Sequence, residues 1–261
     1  MREKLKTSEE LQSFLLNGNK TIIVSLGSCT NYSDSVNKPV VRINSIEGVK
    51  NSSNKLFMKQ CFNTAGVKTA NWWTYDFESD GTHMNDFNDK TKIGTPIDEL
   101  PFPIVVKSLY GSKGSGNHKL NSVEELRNWM INKNLNNYIF ETYIDYKREY
   151  RIHCSYNGIF SAFRKLRKEG TERWFFNTTN CIFKIVTPEM QSEIHCWNTL
   201  ENDLKKALVE LKLDFAGFDV RIKNDCSEYS IIESNSAPGL LTKGTEDYYT
   251  EILRIIKQKL N

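Results

Sequence analysis

Apolar positions along the chain switch between a helical period and a period of two, block by block. Leu11, Phe14 and Leu15 form a helical face behind Thr7-Ser8-Glu9-Glu10, where Glu10 follows Thr7 by three residues as a capping box requires, and Asn17-Gly18-Asn19 stops it. Residues 21–26 are an apolar run that predicts a buried strand. A polar loop follows from Gly27 to Lys38, and then a second short strand, Val40–Ile43. Residues 54–65 return to the helical period, with Leu56, Phe57, Cys61, Phe62 and Ala65 inward and Gly66 as the cap. Residues 67–75 are extended, and the polar stretch 78–92 predicts a surface loop or weak helix.

The signal sharpens from Phe102. Pro103-Ile104-Val105-Val106-Lys107 predicts a strand ending in lysine, followed by the glycine-rich turn Gly111-Ser112-Lys113-Gly114-Ser115-Gly116. Ser122-Val123-Glu124-Glu125 is a capping box for a helix carrying Val123, Leu126, Trp129 and Met130. Residues 138–143 predict a strand. Residues 148–156 and 159–165 predict a hairpin joined by Asn157-Gly158, the signature of a type I′ turn. Leu200, Leu204, Leu208 and Leu211 mark a helix stripe. Residues 216–222 and 229–235 predict a second hairpin, and Tyr249, Ile252, Ile256 and Leu260 a last helix. Mixed strands, hairpins and helices place the chain in the α/β class, tending to α+β.

Composition narrows the class. At 261 residues, 39% hydrophobic and 26% charged, the chain is long enough to bury a sizeable core and is soluble rather than disordered. A net charge of +3 does not argue for a nucleic-acid partner. No apolar run approaches a membrane span, and Met1-Arg2-Glu3-Lys4 lacks the apolar stretch of a signal peptide, so a cytoplasmic protein with no membrane partner is expected. The six cysteines are scattered without a C-x-x-C pair, so free thiols are expected rather than a zinc site or disulfide framework.

Three segments carry candidate chemistry. In Glu233-Ser234-Asn235-Ser236-Ala237-Pro238-Gly239, strand alternation puts Glu233 and Asn235 on one face, where a carboxylate and an amide oxygen suit a hard divalent cation such as Mg. Asp219 on the preceding hairpin strand could add a third oxygen. The plainer reading is a pair of solvent-facing residues before a turn. In 103–116, a flexible glycine loop lets backbone N–H groups approach phosphate, and the strand-end lysine supplies a point charge. The order of a Walker A loop is absent, and a surface loop is the plainer alternative. In 139–144, a strand running into a linker can present backbone groups to an adenine edge, with a carboxylate nearby for ribose hydroxyls. Further on, Glu149, Arg151 and His153 share one strand face, which is otherwise a solvated charged face.

Lysine strand, glycine loop, hinge glutamate, basic hairpin, Asp-bearing strand and E-x-N-x-x-P-G occur in that order, and in that order the chain resembles the ATP-grasp superfamily. It is most similar to RimK-type amino-acid ligases and more distantly to D-alanine–D-alanine ligase. The resemblance opens at Ser53-Asn54-Lys55-Leu56 and runs to Gly239. It implies an ATP-grasp fold, two α+β subdomains gripping ATP behind a short N-terminal α/β domain. The expected division is residues 1–52 and 53–261, the latter with a small nucleotide clamp (98–144) and a catalytic part (145–261). The implied activity is an ATP- and Mg-dependent carboxylate–amine ligase working through an acyl phosphate, with small-molecule or peptide carboxylate and amine substrates, two Mg ions or Mn in their place, and self-association. Residue by residue, Lys55 and Lys107 match the phosphate-binding lysines, and Ser112, Lys113 and Gly114 the closing loop. Glu141, Thr142, Tyr143 and Ile144 match the adenine hinge, Glu149 the ribose acid, and Asp219, Glu233 and Asn235 the metal ligands. Arg164, Lys165 and Arg151 are the catalytic candidates, facing the phosphoryl and acyl groups.

The sequence also departs from the pattern. Gly217 stands where D-alanine ligases carry an arginine, and Arg167 and Arg173 compete with Arg164 and Lys165. His153 is a candidate base whose alternative is a structural histidine. A kinase on the same scaffold, a nucleotide-binding module without chemistry, and a nucleic-acid binder using residues 164–173 with Trp174, Phe175 and Phe176 are the rival readings.

Overall fold

The computed structural model describes residues 21–24, 40–79, 81–88, 94–111, 116–170, 174, 180–238 and 245–260. The first expected helix, the loop residues Ser112, Lys113 and Gly114, and Gly239 lie outside them. Two short parallel strands come first, β1 (Thr21–Val24) and β2 (Val40–Ile43). Two helices follow, α1 (Ile46–Ser53) and α2 (Lys55–Ala65).

The sequence pattern gives no sign of α1, because Gly48 interrupts it. The glycine is there for space: an added Cβ would lie 2.3 Å from the Lys212 carbonyl oxygen. Helix α2 starts one residue after Asn54, whose side-chain oxygen accepts from the Leu56 and Phe57 N–H groups, and ends at Gly66 with φ 64°. Its buried face is Lys55, Met58, Lys59 and Phe62. Phe57, expected inward, is 45% exposed, because two charged residues and not the aromatic occupy the inner stripe.

Strands β3 (Trp72–Tyr75), β4 (His83–Asp86), β5 (Thr95–Pro96), β6 (Ile104–Ser108), β7 (His118–Leu120) and β8 (Tyr138–Thr142) form a six-stranded antiparallel sheet in the order β5-β4-β3-β8-β6-β7. Helix α3 (Val123–Met130) closes its core through Leu126, with Ser122 and Glu125 completing its N-terminal hydrogen bonds. Strand β4 corrects the expected loop at 78–92. Only Met84 of its four residues is buried, so no period of two is visible in the sequence.

The second sheet holds β9 (Arg148–Ser155), β10 (Gly158–Arg167), β11 (Cys181–Ile185), β12 (Phe215–Ile222) and β13 (Tyr229–Asn235), all antiparallel, in the order β11-β10-β9-β12-β13. The β9–β10 turn is not type I′. Gly158 alone takes positive φ, and it already pairs with Ser155, which leaves Tyr156 and Asn157 as the loop. After the short helix α4 (Pro188–Ser192), α5 (Trp197–Leu211) covers one face of this sheet. Its stripe of Leu200, Leu204, Leu208 and Leu211 is fully buried against Ile152, Phe218 and Val220, and each leucine contributes roughly 1.5–3 kcal/mol. Helix α6 (Thr245–Leu260) packs at the far end of the other face, with Tyr248, Ile255 and Ile256 inward and Tyr249, part of the expected stripe, only half-buried. Asn44 ties the end of β2 to this sheet, donating to the Ser236 carbonyl and accepting from the Asp214 and Phe215 N–H groups.

Among the described residues no helix is long and apolar enough to cross a membrane. Cys61, Cys154, Cys181, Cys196 and Cys226 are free thiols, as expected.

Candidate functional site

Strand pairing sets the face of the large sheet opposite α5. Arg151 lies opposite Asp219, Glu149 opposite both Lys165 and Arg221, and Asp219 opposite Glu233 on the next strand. Residues directly opposite each other share a face. A bulge makes this arrangement possible on β13. Val220 pairs with Ile231 while Asp219 pairs with Glu233, so Ile232 is extra. Ile231 therefore packs in the core, and Glu233, two residues on, turns to the site. Plain alternation would have put both on one face. Asn235 continues the Glu233 face, with its amide nitrogen 3.4 Å from the Gly217 carbonyl oxygen and 3.5 Å from Glu233 Oε1.

The charges on this face form one connected network. Lys165 Nζ donates to Glu149 Oε1 and lies 2.8 Å from Asp219 Oδ1. Arg151 holds Asp219 in bidentate fashion, Nε to Oδ1 at 2.5 Å and Nη2 to Oδ2 at 3.0 Å. Arg221 Nε donates to Glu149 Oε2 at 2.9 Å. Burial pushes the Asp219 carboxyl up, but Arg151 and Lys165 outweigh it and hold the pKa far below the usual range. Burial likewise lowers Lys165, and Asp219 and Glu149 overcome it. Of the basic candidates, Lys165 and Arg151 reach this network. Arg164 pairs with Tyr150 and points to the opposite face. Among the described residues no three His, Cys, Asp or Glu side chains form a metal-holding group. The candidate set is two carboxylates and an amide, with Asp219 Oδ2 retaining a free lone pair beside its single arginine contact.

A second charged group lies where α2 meets the small sheet. Lys107 Nζ donates to Glu141 Oε2 at 2.7 Å, and Lys59 Nζ lies 3.4 Å from Glu141 Oε1. Lys55 Nζ donates to the Gly111 carbonyl at 2.7 Å, at the mouth of the glycine-rich turn. All four side chains are buried. Burial pushes the Glu141 carboxyl up, and Lys107 and Lys59 bring it below its ordinary value. Burial lowers Lys55, against the attraction of Glu233, which links the two groups across the interface. Three lysines thus face one carboxylate here, a surplus of two positive charges, while on the large sheet Arg151, Lys165 and Arg221 balance Glu149, Asp219 and Glu233.

At the end of β8 the Thr142 N–H donates to the Asn71 carbonyl, the Tyr143 N–H to the Pro103 carbonyl, and the Ile144 carbonyl accepts from Arg221 Nη1. Thr142 Oγ1 is buried there without a hydrogen-bond partner, on the strand face opposite Glu141. Tyr143 lies between Lys119 Nζ, 4.0 Å from its ring centre, and the Arg221 guanidinium at 5.4 Å.

No protein-family model and no curated protein sequence matches the chain. Solved structures do. Bacillus anthracis D-alanine–D-alanine ligase complexed with ATP superposes with a TM-score of 0.61 at 17% identity, over 96% of this chain and 82% of that one. The ATP-grasp ligase PsnB complexed with a minimal precursor gives 0.56 at 16% identity, over 85% of this chain and 65% of its own, so this chain matches just under two thirds of PsnB. Bacillus licheniformis L-amino acid ligase gives 0.55 at 16% identity, over 94% and 56%. The chain has the ATP-grasp fold.

Each of the two antiparallel sheets carries one of the charged groups. The lysine-rich group lies on the small-sheet side, and the Asp219–Glu233–Asn235 row on the large sheet. Sequence reasoning named most of these side chains but missed Lys59 and Arg221. Lys59 follows Lys55 by four residues on one helix face, a spacing that was available as a signal. Arg221 follows Asp219 by two on one strand face.

Proposed function

We propose that the chain is an ATP- and Mg-dependent carboxylate–amine ligase of RimK-like type, forming an amide through an acyl phosphate. The carrying observation is the cross-strand pair Asp219–Glu233 beside the surplus-positive group of Lys55, Lys59 and Lys107, in an ATP-grasp fold. That distribution suits a polyanion held at one end by lysines and at the other by a cation on carboxylates.

In this reading residues 53–261 form the catalytic unit behind a short domain at 1–52, with 98–144 as the nucleotide clamp and 145–261 as the catalytic part. Lys55 and Lys107 hold the phosphates. Asp219, Glu233 and Asn235 hold Mg, which when bound screens the phosphate charge that a carboxylate nucleophile must approach. Lys165 and Arg151 keep Asp219 ionised and oriented, so the site is preorganised before substrate arrives. A carboxylate oxygen attacks the γ-phosphorus, the bond to the β-phosphate oxygen breaks, and ADP leaves an acyl phosphate behind. The amine then displaces phosphate from the acyl group. Ser112, Lys113 and Gly114 belong to the loop that covers the phosphates and keeps water from the acyl phosphate. His153 is no general base here. Desolvation, and then Arg151, lower its pKa to about 3.

The test is turnover of Mg·ATP across pools of amino acids and peptides, with mass spectrometry of the products and Glu233→Ala as control. A condensation product formed with ADP and phosphate, and lost in the variant, is expected. A product heavier by one phosphoryl group would replace the ligase with a kinase.

A further inference from the structure

Lys59 is the least accessible charged side chain of the site, with no exposed surface. Helical spacing places it one turn beyond Lys55 on the buried face of α2. Its ammonium donates to Thr69 Oγ1 at 2.6 Å, and Thr69 in turn donates to the Ile231 carbonyl, next to the bulge that aims Glu233. Its other neighbour is Glu141 Oε1 at 3.4 Å, while Lys107 occupies Glu141 Oε2 at 2.7 Å. Burying an ammonium is costly unless it is paired. Here desolvation lowers the Lys59 pKa to about 8 although Glu141 opposes it.

Glu141 already has a cationic partner in Lys107, and that pair alone is neutral. A neutral pair attracts phosphate weakly, because the carboxylate beside the ammonium cancels its field. A second buried cation changes the balance: Lys59, Glu141 and Lys107 together carry one net positive charge, and Lys107, the more exposed of the two lysines, is the one that can present it. We propose that Lys59 is a positioning residue that neutralises Glu141, so that the Lys107 ammonium keeps its charge for the phosphates of ATP. The inference rests on the nucleotide-binding reading above and adds a role for a side chain that touches neither nucleotide nor metal.

Equilibrium titration with Mg·ATP and with adenosine tests it, on wild type, Lys59→Met and the double variant Lys59→Met/Glu141→Gln. Lys59→Met should weaken ATP binding about ten-fold, the equivalent of about 1.4 kcal/mol, and leave adenosine binding unchanged. The double variant removes the carboxylate that Lys59 answers, and should restore the affinity for ATP relative to adenosine to within about three-fold of wild type by the same scale, whatever Glu141→Gln does to the binding of the base. A double variant no better than Lys59→Met in that ratio, or an equal loss for adenosine and ATP in Lys59→Met, would overturn the proposal and leave Lys59 a structural residue. If Lys59→Met alone does not fold, the double variant, which buries no carboxylate and leaves Lys107 as the one cation of the group, carries the test: a ten-fold loss of ATP affinity relative to adenosine in it overturns the proposal. Wild type that binds neither ligand would instead bring down the nucleotide-site reading itself.

Discussion

His153 makes the stability of this protein sensitive to mild acid. The ring is 1% exposed, boxed by Phe160, Phe163 and Tyr248 with centroid distances of 6.1, 5.8 and 5.0 Å, and neither ring nitrogen has a hydrogen-bond partner. Desolvation, with the nearby Arg151 charge, lowers its pKa from 6.5 to about 3. A histidine whose folded pKa lies below its unfolded value takes up its proton preferentially when unfolded. Its contribution is therefore complete above the unfolded pKa and is lost as pH falls towards the folded one. At about 1.4 kcal/mol per pH unit, the loss between pH 7 and pH 5 is about 2 kcal/mol. Asp219 and Glu141 have depressed values, so their losses fall below that window. Urea unfolding at pH 7 and pH 5 measures the difference. His153→Leu should flatten the dependence by about 2 kcal/mol and be no less stable at pH 7, since it removes two unsatisfied buried nitrogens. A variant that keeps the wild-type loss between the two pH values would refute the reasoning.

Other perturbations follow from the same geometry. Lys165→Met strands Glu149 and Asp219 on a buried face, each keeping one arginine, and should cost about 3 kcal/mol in urea unfolding at pH 7. Gly48→Ala drives a methyl group into the Lys212 carbonyl and the Leu213 side chain, and should destabilise by about 2 kcal/mol, read as a lower thermal midpoint. Asn54→Ala removes the N-cap of α2 and a hydrogen bond to Tyr110, and should cost about 1 kcal/mol by the same assay.

Where burial follows a period, the sequence carried it. The α5 leucines, the strand of Lys107 and the hairpin of Asp219 and Glu233 are at the expected positions. Helix α1 and strand β4 were hidden for opposite reasons, a glycine needed for close approach in one and a single buried methionine in the other. In the site, the order of motifs points to the residue types, but not to their partners. The Ile232 bulge decides that Glu233 faces Asp219, and nothing local in the sequence announces it. Arg164 and Lys165 are adjacent and equally basic. Only the register with β9 shows that Lys165 meets Glu149 while Arg164 faces away. The spacing of Lys59 after Lys55 is visible in the sequence, but its partners Thr69 and Glu141 are not.

The most direct measurement of the central claim is calorimetric titration of the protein with ATP, with and without Mg, in wild type and Glu233→Ala. The account predicts saturable ATP binding in the wild type that Mg strengthens, and a variant that still binds adenosine but has lost the Mg enhancement. Absence of ATP binding in the folded wild type, or an Mg enhancement that survives loss of Glu233, would contradict it.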